Sequence, residues 1–155
     1  MKWVTRRHIR VNRAATAWLV RRFIDPAATF AFVAPDEVSG FQAREGATGF
    51  DAPGATYPHA DAHRRCSFEA LVAERLAADR ALVAMSAIVH GADFPDEMAI
   101  TAESAGLHAI SIGLALVADD DDLMLERASL VYDALYAHLT ERERGLPARA
   151  PQLAG

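Results

Sequence analysis

Several features that define large classes of protein are missing from this sequence. Cys66 is the only cysteine among the 155 residues, so an intrachain disulfide is excluded and a reducing compartment is expected. No apolar run reaches the roughly 18 residues that a membrane-spanning helix needs. Arginines interrupt every apolar stretch near the N-terminus that could serve as a signal peptide. We therefore predict a cytoplasmic protein without a membrane partner.

Common catalytic motifs and a strong net charge are missing as well. The sequence has no P-loop, no dinucleotide-binding glycine pattern and no Gly-x-Ser-x-Gly nucleophile motif. A formal net charge of -5 does not suggest that the whole chain binds nucleic acid. Residues 1–22 nevertheless hold seven lysines and arginines and no acid. This basic segment either binds an anionic ligand or pairs with the late carboxylates at 119–122, and both interpretations stay open.

Length and composition indicate one globular domain. A chain of 155 residues that is 52% hydrophobic is long enough to bury about two-thirds of its unfolded surface. We predict a single domain over 1–145 and a flexible tail over 146–155, which follows Gly145. The predicted fold class is α+β and mainly helical, with four to six helices and a small two- or three-stranded sheet near the N-terminus.

Local patterns place these elements along the chain. The β-rich run 29–33 predicts a strand, and the short run 2–5 predicts an edge strand. Asn12, Ser67, Asp79 and Thr101 are residues that favour helix N-termini, so we expect each to cap a helix. Four predicted helices cover 12–24, 36–44, 68–77 and 79–90. A fifth follows Thr101 and carries apolar residues to 117, and a sixth begins at 119–122 and stops at 145.

Potential metal ligands are concentrated between the glycine-rich loop and the middle helices. His59, Asp61, His63, Cys66 and Glu69 lie within eleven residues, and His90 and Asp93 follow some twenty residues later. Glu69 falls in the first turn of one predicted helix and His90 near the end of the next. Antiparallel packing of these helices would therefore bring the two side chains together. The alternative is that the histidines are ordinary surface residues.

These residues predict a divalent-metal site. Imidazole and carboxylate ligands suit Zn, Mn or Fe, so we expect a metal bound by His59 or His63 with Glu69, His90 and Asp93. Cys66 has three possible roles: a metal ligand, a redox-active thiol or a buried apolar residue. Its neighbours Arg64 and Arg65 and the adjacent helix N-terminus would favour the thiolate.

Seven short motifs, in order along the chain, resemble a known family. They are Lys2-Trp-Val-Thr-Arg6, Asn12-Arg-x-x-x-x-Trp-Leu-x-Arg-Arg-Phe-Ile-Asp-Pro26, Phe50-Asp-x-Pro-Gly54, Cys66-Ser-Phe-Glu69, Ile88-Val-His-Gly-Ala-Asp93, Ala105-Gly-Leu107 and Tyr132-Asp-Ala-Leu-Tyr136. Together they are similar to the C-terminal domain of the chromate-resistance protein ChrB, over about residues 2–140.

The resemblance implies a role in the response or resistance to chromate. The positions that it carries over are Arg13, Arg21, Arg22, Cys66, Glu69, His90 and Asp93. Some members of the family are chromate-sensing transcriptional regulators with an additional N-terminal region, which this sequence does not include. We therefore do not expect this chain alone to bind DNA.

Two functions follow from these observations. The first is a metal-binding sensor or accessory domain, in which Arg13, Arg21 and Arg22 clamp an oxyanion such as chromate, because guanidinium groups match tetrahedral oxyanions. The second is a metal-dependent enzyme, of lyase, hydrolase or oxidoreductase type, that acts on a small molecule at an open coordination position. Expected partners are a small-molecule or oxyanion ligand and, for the chain itself, a homo-oligomer.

Overall fold

The computed structural model describes residues 1–145, so the tail predicted over 146–155 lies outside the described residues. Helices dominate, and the strands lie in the N-terminal third, which confirms the predicted fold class. The strands are β1 (Lys2–Arg6), β2 (Thr29–Val33) and β3 (Thr48–Gly49). The helices are α1 (Val11–Leu19), α2 (Val38–Glu45), α3 (Ser67–Arg75), α4 (Arg80–Asp93), α5 (Ser104–Val117) and α6 (Asp121–Glu143). Shorter helical turns cover Val20–Ile24, Pro35–Glu37 and Pro95–Ile100.

The three strands form a parallel sheet in the order β2-β1-β3. The prediction of β1 as an edge strand was wrong, because β1 pairs on both sides and is central. Its consecutive residues Trp3, Val4 and Thr5 are all fully buried, as is typical of a parallel strand covered on both faces. Trp3 belongs to the main core and Val4 packs with Val38 of α2 on the opposite face, which follows from the two-residue period of a strand.

Helix α1 lies at the centre of the helical layer and packs against α3, α4 and α6. It begins at Val11 rather than being capped by Asn12, so the capping prediction for Asn12 was wrong. Asn12 is buried instead, and its side-chain oxygen accepts hydrogen bonds from the Ser67 hydroxyl and from the backbone N–H of Phe68. Asn12 therefore fixes α1 against the first turn of α3.

Among the later helix starts, the predicted cap at Asp79 is confirmed, whereas the prediction for Thr101 was wrong because Glu103 is the N-cap residue of α5. Asp79 accepts a hydrogen bond from the N–H of Leu82 at the start of α4, as predicted, and Asp120 does the same for Leu123 at the start of α6. At the start of α3 the N-cap residue is Cys66 rather than the predicted Ser67. Across residues 1–145, no helix has both the length and the apolar character needed to cross a membrane.

Candidate metal centres

The first turn of α3 fixes the carboxylate of Glu69 next to Cys66. Glu69 is the third residue of the helix, and its Oε2 accepts a hydrogen bond from the backbone N–H of Cys66 at 2.7 Å. This reciprocal contact between the third helical residue and the N-cap residue is a common way to satisfy a free N–H group at a helix start. The side chain therefore points back toward the Cys66 thiol.

The imidazole of His90 lies between two carboxylates. Its Nδ1 is 2.6 Å from Oε2 of Glu69, and its Nε2 is 2.5 Å from Oε2 of Glu97. Burial opposes a charge on the ring, but these two hydrogen bonds outweigh burial and raise the pKa of His90 above its usual value. The contact with Glu97 holds the ring orientation, so that Nδ1 is presented to Glu69 and Cys66.

Cys66, Glu69 and His90 form a first group of potential ligands, called here the Cys66 triad. One ligand atom from each residue lies within 4.8 Å of the other two. Metal–ligand bonds of about 2.0–2.3 Å place ligand atoms roughly 3–4 Å apart in a tetrahedral site, so a small adjustment would let the three atoms share one cation.

The thiol of Cys66 is fully buried. Burial and the negative charge of Glu69 hold its pKa well above the usual value. The expectation that Arg64 and Arg65 favour the thiolate was therefore wrong. Arg64 instead donates to Glu97 and Arg65 to Asp61, so both guanidinium charges are paired away from the sulfur.

A second group lies at the carboxyl edge of the sheet and consists of Asp51, His59 and Asp93, called here the Asp51 triad. One ligand atom of each again lies within 4.8 Å of the other two. Asp51 follows β3 by two residues and adopts a positive φ of 49°, in the left-handed region that aspartate tolerates better than most residues. Ligand sites in open parallel sheets commonly lie outside this edge.

Asp51 is the anchor of its triad. Only 1% of its side chain is exposed, and Oδ2 accepts hydrogen bonds from Arg6 at 3.1 Å and from Arg13 at 2.8 Å. Oδ1 lies 2.7 Å from Nδ1 of His59. Burial would raise the pKa of Asp51, but His59 and the two arginines outweigh burial and lower it. Asp51 is thus held ionised in the interior.

Asp93 completes the second triad from the last turn of α4. Its Oδ2 is buried, and no donor within residues 1–145 forms a hydrogen bond to it. Nδ1 of His59 lies 3.6 Å from it, beyond hydrogen-bond distance. Burial and the negative charge of Asp51 raise the pKa of Asp93 to about 6. Oδ2 of Asp93 is therefore a buried oxygen atom that lacks a hydrogen-bond partner within residues 1–145.

The two triads are neighbours that share Phe94 as a wall. The Phe94 ring stacks on His90 with centroids 4.4 Å apart and contacts the His59 ring with centroids 5.1 Å apart. Gly91 allows this end of α4 to pack closely against α5, since a Cβ atom there would lie only 2.5 Å from Oγ of Ser104. Together the two triads join α3, α4 and the loop that follows β3.

Comparison with known proteins decides the family. The family model for the C-terminal domain of ChrB matches residues 3–139. This chain belongs to the ChrB C-terminal domain family. It is 38% identical, over 140 residues, to Protein ChrB of Cupriavidus metallidurans, and the match covers 90% of this chain. The chain spans 41% of the length of that relative. No solved structure matches.

In this ChrB-family domain, the ligands expected from the sequence are divided between the two triads. Glu69 and His90 lie in the Cys66 triad, whereas His59 and Asp93 lie in the Asp51 triad. His63 is exposed and lies in neither triad, and its backbone N–H donates to Asp61. The geometry thus favours His59 over His63 as a ligand.

The three arginines proposed to clamp an oxyanion have separate partners in the ChrB-family domain. Arg13 donates to Asp51, Arg22 donates to Asp133, and the guanidinium of Arg21 lies over the ring of Phe30. Arg13 and Arg22 would have to give up these carboxylates to bind a common anion. Binding of one oxyanion by these three arginines stays a prediction, and their separate partners do not favour it.

Three residues in or beside the two triads, Asp51, Arg6 and Glu97, were not predicted from the sequence. Asp51 and Arg6 are brought in by the sheet, because each lies at or just beyond the carboxyl end of a strand. Glu97 lies in the helical turn Pro95–Ile100, seven residues after His90. A signal for Asp51 was present, since it stands in the Phe50–Gly54 motif of the resemblance, but its partners were not visible in the sequence.

Proposed function

We propose that this domain binds a divalent metal ion at Cys66, Glu69 and His90 and acts through that ion in the response to chromate. The observation that carries the proposal is the position of His90, whose Nε2 is held by Glu97 while Nδ1 faces Glu69 and Cys66. A carboxylate on the second nitrogen of a metal-binding histidine is the usual device that sets its tautomer and orientation.

The donor set favours zinc or another borderline divalent ion. Thiolate and imidazole are ligands that zinc prefers, and a carboxylate completes a three-residue set. The raised pKa of Cys66 is compatible with this role, because a bound cation would replace the thiol proton. Burial of Cys66 also argues against a freely reactive thiol.

Three protein ligands leave a fourth coordination position open. We propose that this position accepts an oxygen atom of a small oxyanion, and that chromate is the candidate suggested by the family. Cys66 and His90 are buried and the Glu69 side chain is 19% exposed, so the open position suits a small ligand. We prefer a sensing or accessory role, in which the bound oxyanion is the signal, to the enzymatic alternative.

The metal site is tested by titrating tag-free, chelator-treated protein with Co²⁺. A cobalt–thiolate bond gives a strong near-ultraviolet charge-transfer band, and we expect that band in the wild type. It should disappear in Cys66→Ser and be lost or greatly weakened in His90→Gln. The matched control is His138→Gln, an exposed histidine on α6. No band in the wild type, or a band of full intensity in His90→Gln, would contradict the ligand set.

The oxyanion is tested by calorimetric titration of chromate into zinc-loaded and zinc-free protein. We expect binding only to the loaded form, with sulfate as a second tetrahedral dianion for comparison. Equal binding of chromate to both forms would show that chromate binds independently of zinc, and the proposal that it occupies the fourth coordination position would then be wrong. Binding of sulfate as tight as that of chromate would indicate a general oxyanion site.

A further inference from the structure

The Asp51 triad presents its donor atoms in a fixed arrangement. Arg6 binds both the backbone carbonyl and Oδ2 of Asp51, and Arg13 binds Oδ2 and the carbonyl of His8. These contacts leave Oδ1 of Asp51 facing His59. The carboxylate therefore cannot rotate without breaking several charge-assisted hydrogen bonds, which are among the stronger polar contacts in proteins.

Asp93 gives an independent indication that something is missing from this group. A buried carboxylate oxygen with no hydrogen-bond donor is rare, because burying an unpaired polar group costs free energy. Only 14% of the Asp93 side chain is exposed, so water satisfies little of it. Asp51 places a second negative charge beside it, which increases the cost.

We propose that the Asp51 triad binds a second divalent cation, through a carboxylate oxygen of Asp51, the Nδ1 of His59 and the orphan oxygen of Asp93. This site goes beyond the proposed function and does not require an ion in the Cys66 triad. The cation would replace the proton between His59 and Asp51 and would give Asp93 the partner that it lacks.

The chemistry of the two triads assigns them different ions and affinities. Two oxygen donors and one nitrogen suit harder ions such as Mn²⁺ or Fe²⁺ better than a thiolate-containing site does. Arg6 and Arg13 bring two positive charges next to Asp51, and they oppose a further cation. We therefore expect the Asp51 triad to bind more weakly than the Cys66 triad and to fill second.

The test is equilibrium dialysis of tag-free protein against Zn²⁺ and, separately, Mn²⁺, with bound metal measured by mass spectrometry. The wild type should reach two equivalents in two separated steps. His59→Gln and Asp93→Asn should bind one equivalent and keep the cobalt–thiolate band of the Cys66 triad. Because 47% of the His59 side chain is exposed, its replacement is not expected to prevent folding.

His63→Gln is the matched control, since it removes an exposed histidine four residues away that belongs to neither triad. It should keep two equivalents. One equivalent in the wild type that is lost in Cys66→Ser but kept in His59→Gln, or two equivalents in both His59→Gln and Asp93→Asn, would overturn the second site and leave the proposed function intact. If those two variants lose metal while Cys66→Ser and His90→Gln lose none, the second site stands and the proposed ligand set is wrong.

Discussion

In the Asp51 triad the buried carboxylate is already balanced by two guanidinium groups. In the Cys66 triad, among residues 1–145, the Glu69 carboxylate has just the His90 ring and one backbone N–H as partners. The first arrangement contributes to folding whether or not a metal is present. The second leaves a carboxylate, an imidazole and a thiol facing one another with little positive charge beside them.

The difference shows how adjacent sets of similar residues can serve different purposes. Asp51 connects β1, α1 and the loop after β3, so its ion pairs are part of the fold. The contact between Glu69 and His90 joins α3 to α4, which already pack through apolar residues. We expect replacement of Asp51 to affect stability most, and replacement of the Cys66 triad to affect metal affinity most.

The largest expected effect is on stability, from Asp51→Ala. Removing this carboxylate leaves Arg6 and Arg13 without their buried partner, and breaking a buried ion pair in this way costs about 3–5 kcal/mol. Urea unfolding of metal-free protein should show this loss in the free energy of unfolding. Glu69→Gln should cost only about 1–2 kcal/mol, because it mainly weakens hydrogen bonds at one helix start.

The double variant Arg13→Ala with Asp51→Ala provides the control. Removing both charges should cost clearly less than the sum of the two single losses, since fewer unpaired charges remain. Equal stability losses for Asp51→Ala and Glu69→Gln would show that the two triads do not differ in the way described.

The next effect is on metal affinity, from Glu97→Gln. Glu97 accepts from the Nε2 of His90 and would not itself be a ligand in the proposed site. Loss of such a supporting carboxylate typically weakens metal binding by about 10–100-fold. We expect this decrease at the Cys66 triad with unchanged stoichiometry, and no change at the Asp51 triad, in a competition titration against a chelator of known affinity.

Arg64→Ala is the matched control for Glu97. Arg64 donates to the other oxygen of Glu97 at 3.0 Å but is largely exposed, so its ion pair is worth about 0–1 kcal/mol. Its removal should leave metal affinity nearly unchanged. An effect as large as that of Glu97→Gln would mean that the charge near Glu97, rather than its contact with His90, controls binding.

The sequence predicted the convergence of Glu69 and His90 because short-range rules were sufficient. Glu69 lies at the start of one helix and His90 near the end of the next, and the connection between α3 and α4 is only four residues long. Such helices pack as antiparallel neighbours. Helix periodicity then determines which side chains face each other.

The Asp51 triad could not be predicted in the same way. The central position of β1 depends on parallel pairing with segments far along the chain, and local patterns do not reveal pairing partners. Arg6 and Asp51 meet only because of that pairing. Asn12 was misassigned for a similar reason, because its hydrogen-bond partners at Ser67 and Phe68 belong to a distant helix.

The smallest expected effect concerns Phe94, which contacts the imidazoles of both triads. Phe94→Leu removes both ring contacts and should cost about 1 kcal/mol of stability. If Phe94 orients both histidines, metal affinity should fall at each triad by about fivefold or less, since 1 kcal/mol corresponds to that factor. The His90 stack is the closer of the two, so the Cys66 triad should be affected more. A change confined to the Asp51 triad would show that Phe94 does not position His90, and that Glu97 alone fixes its ring.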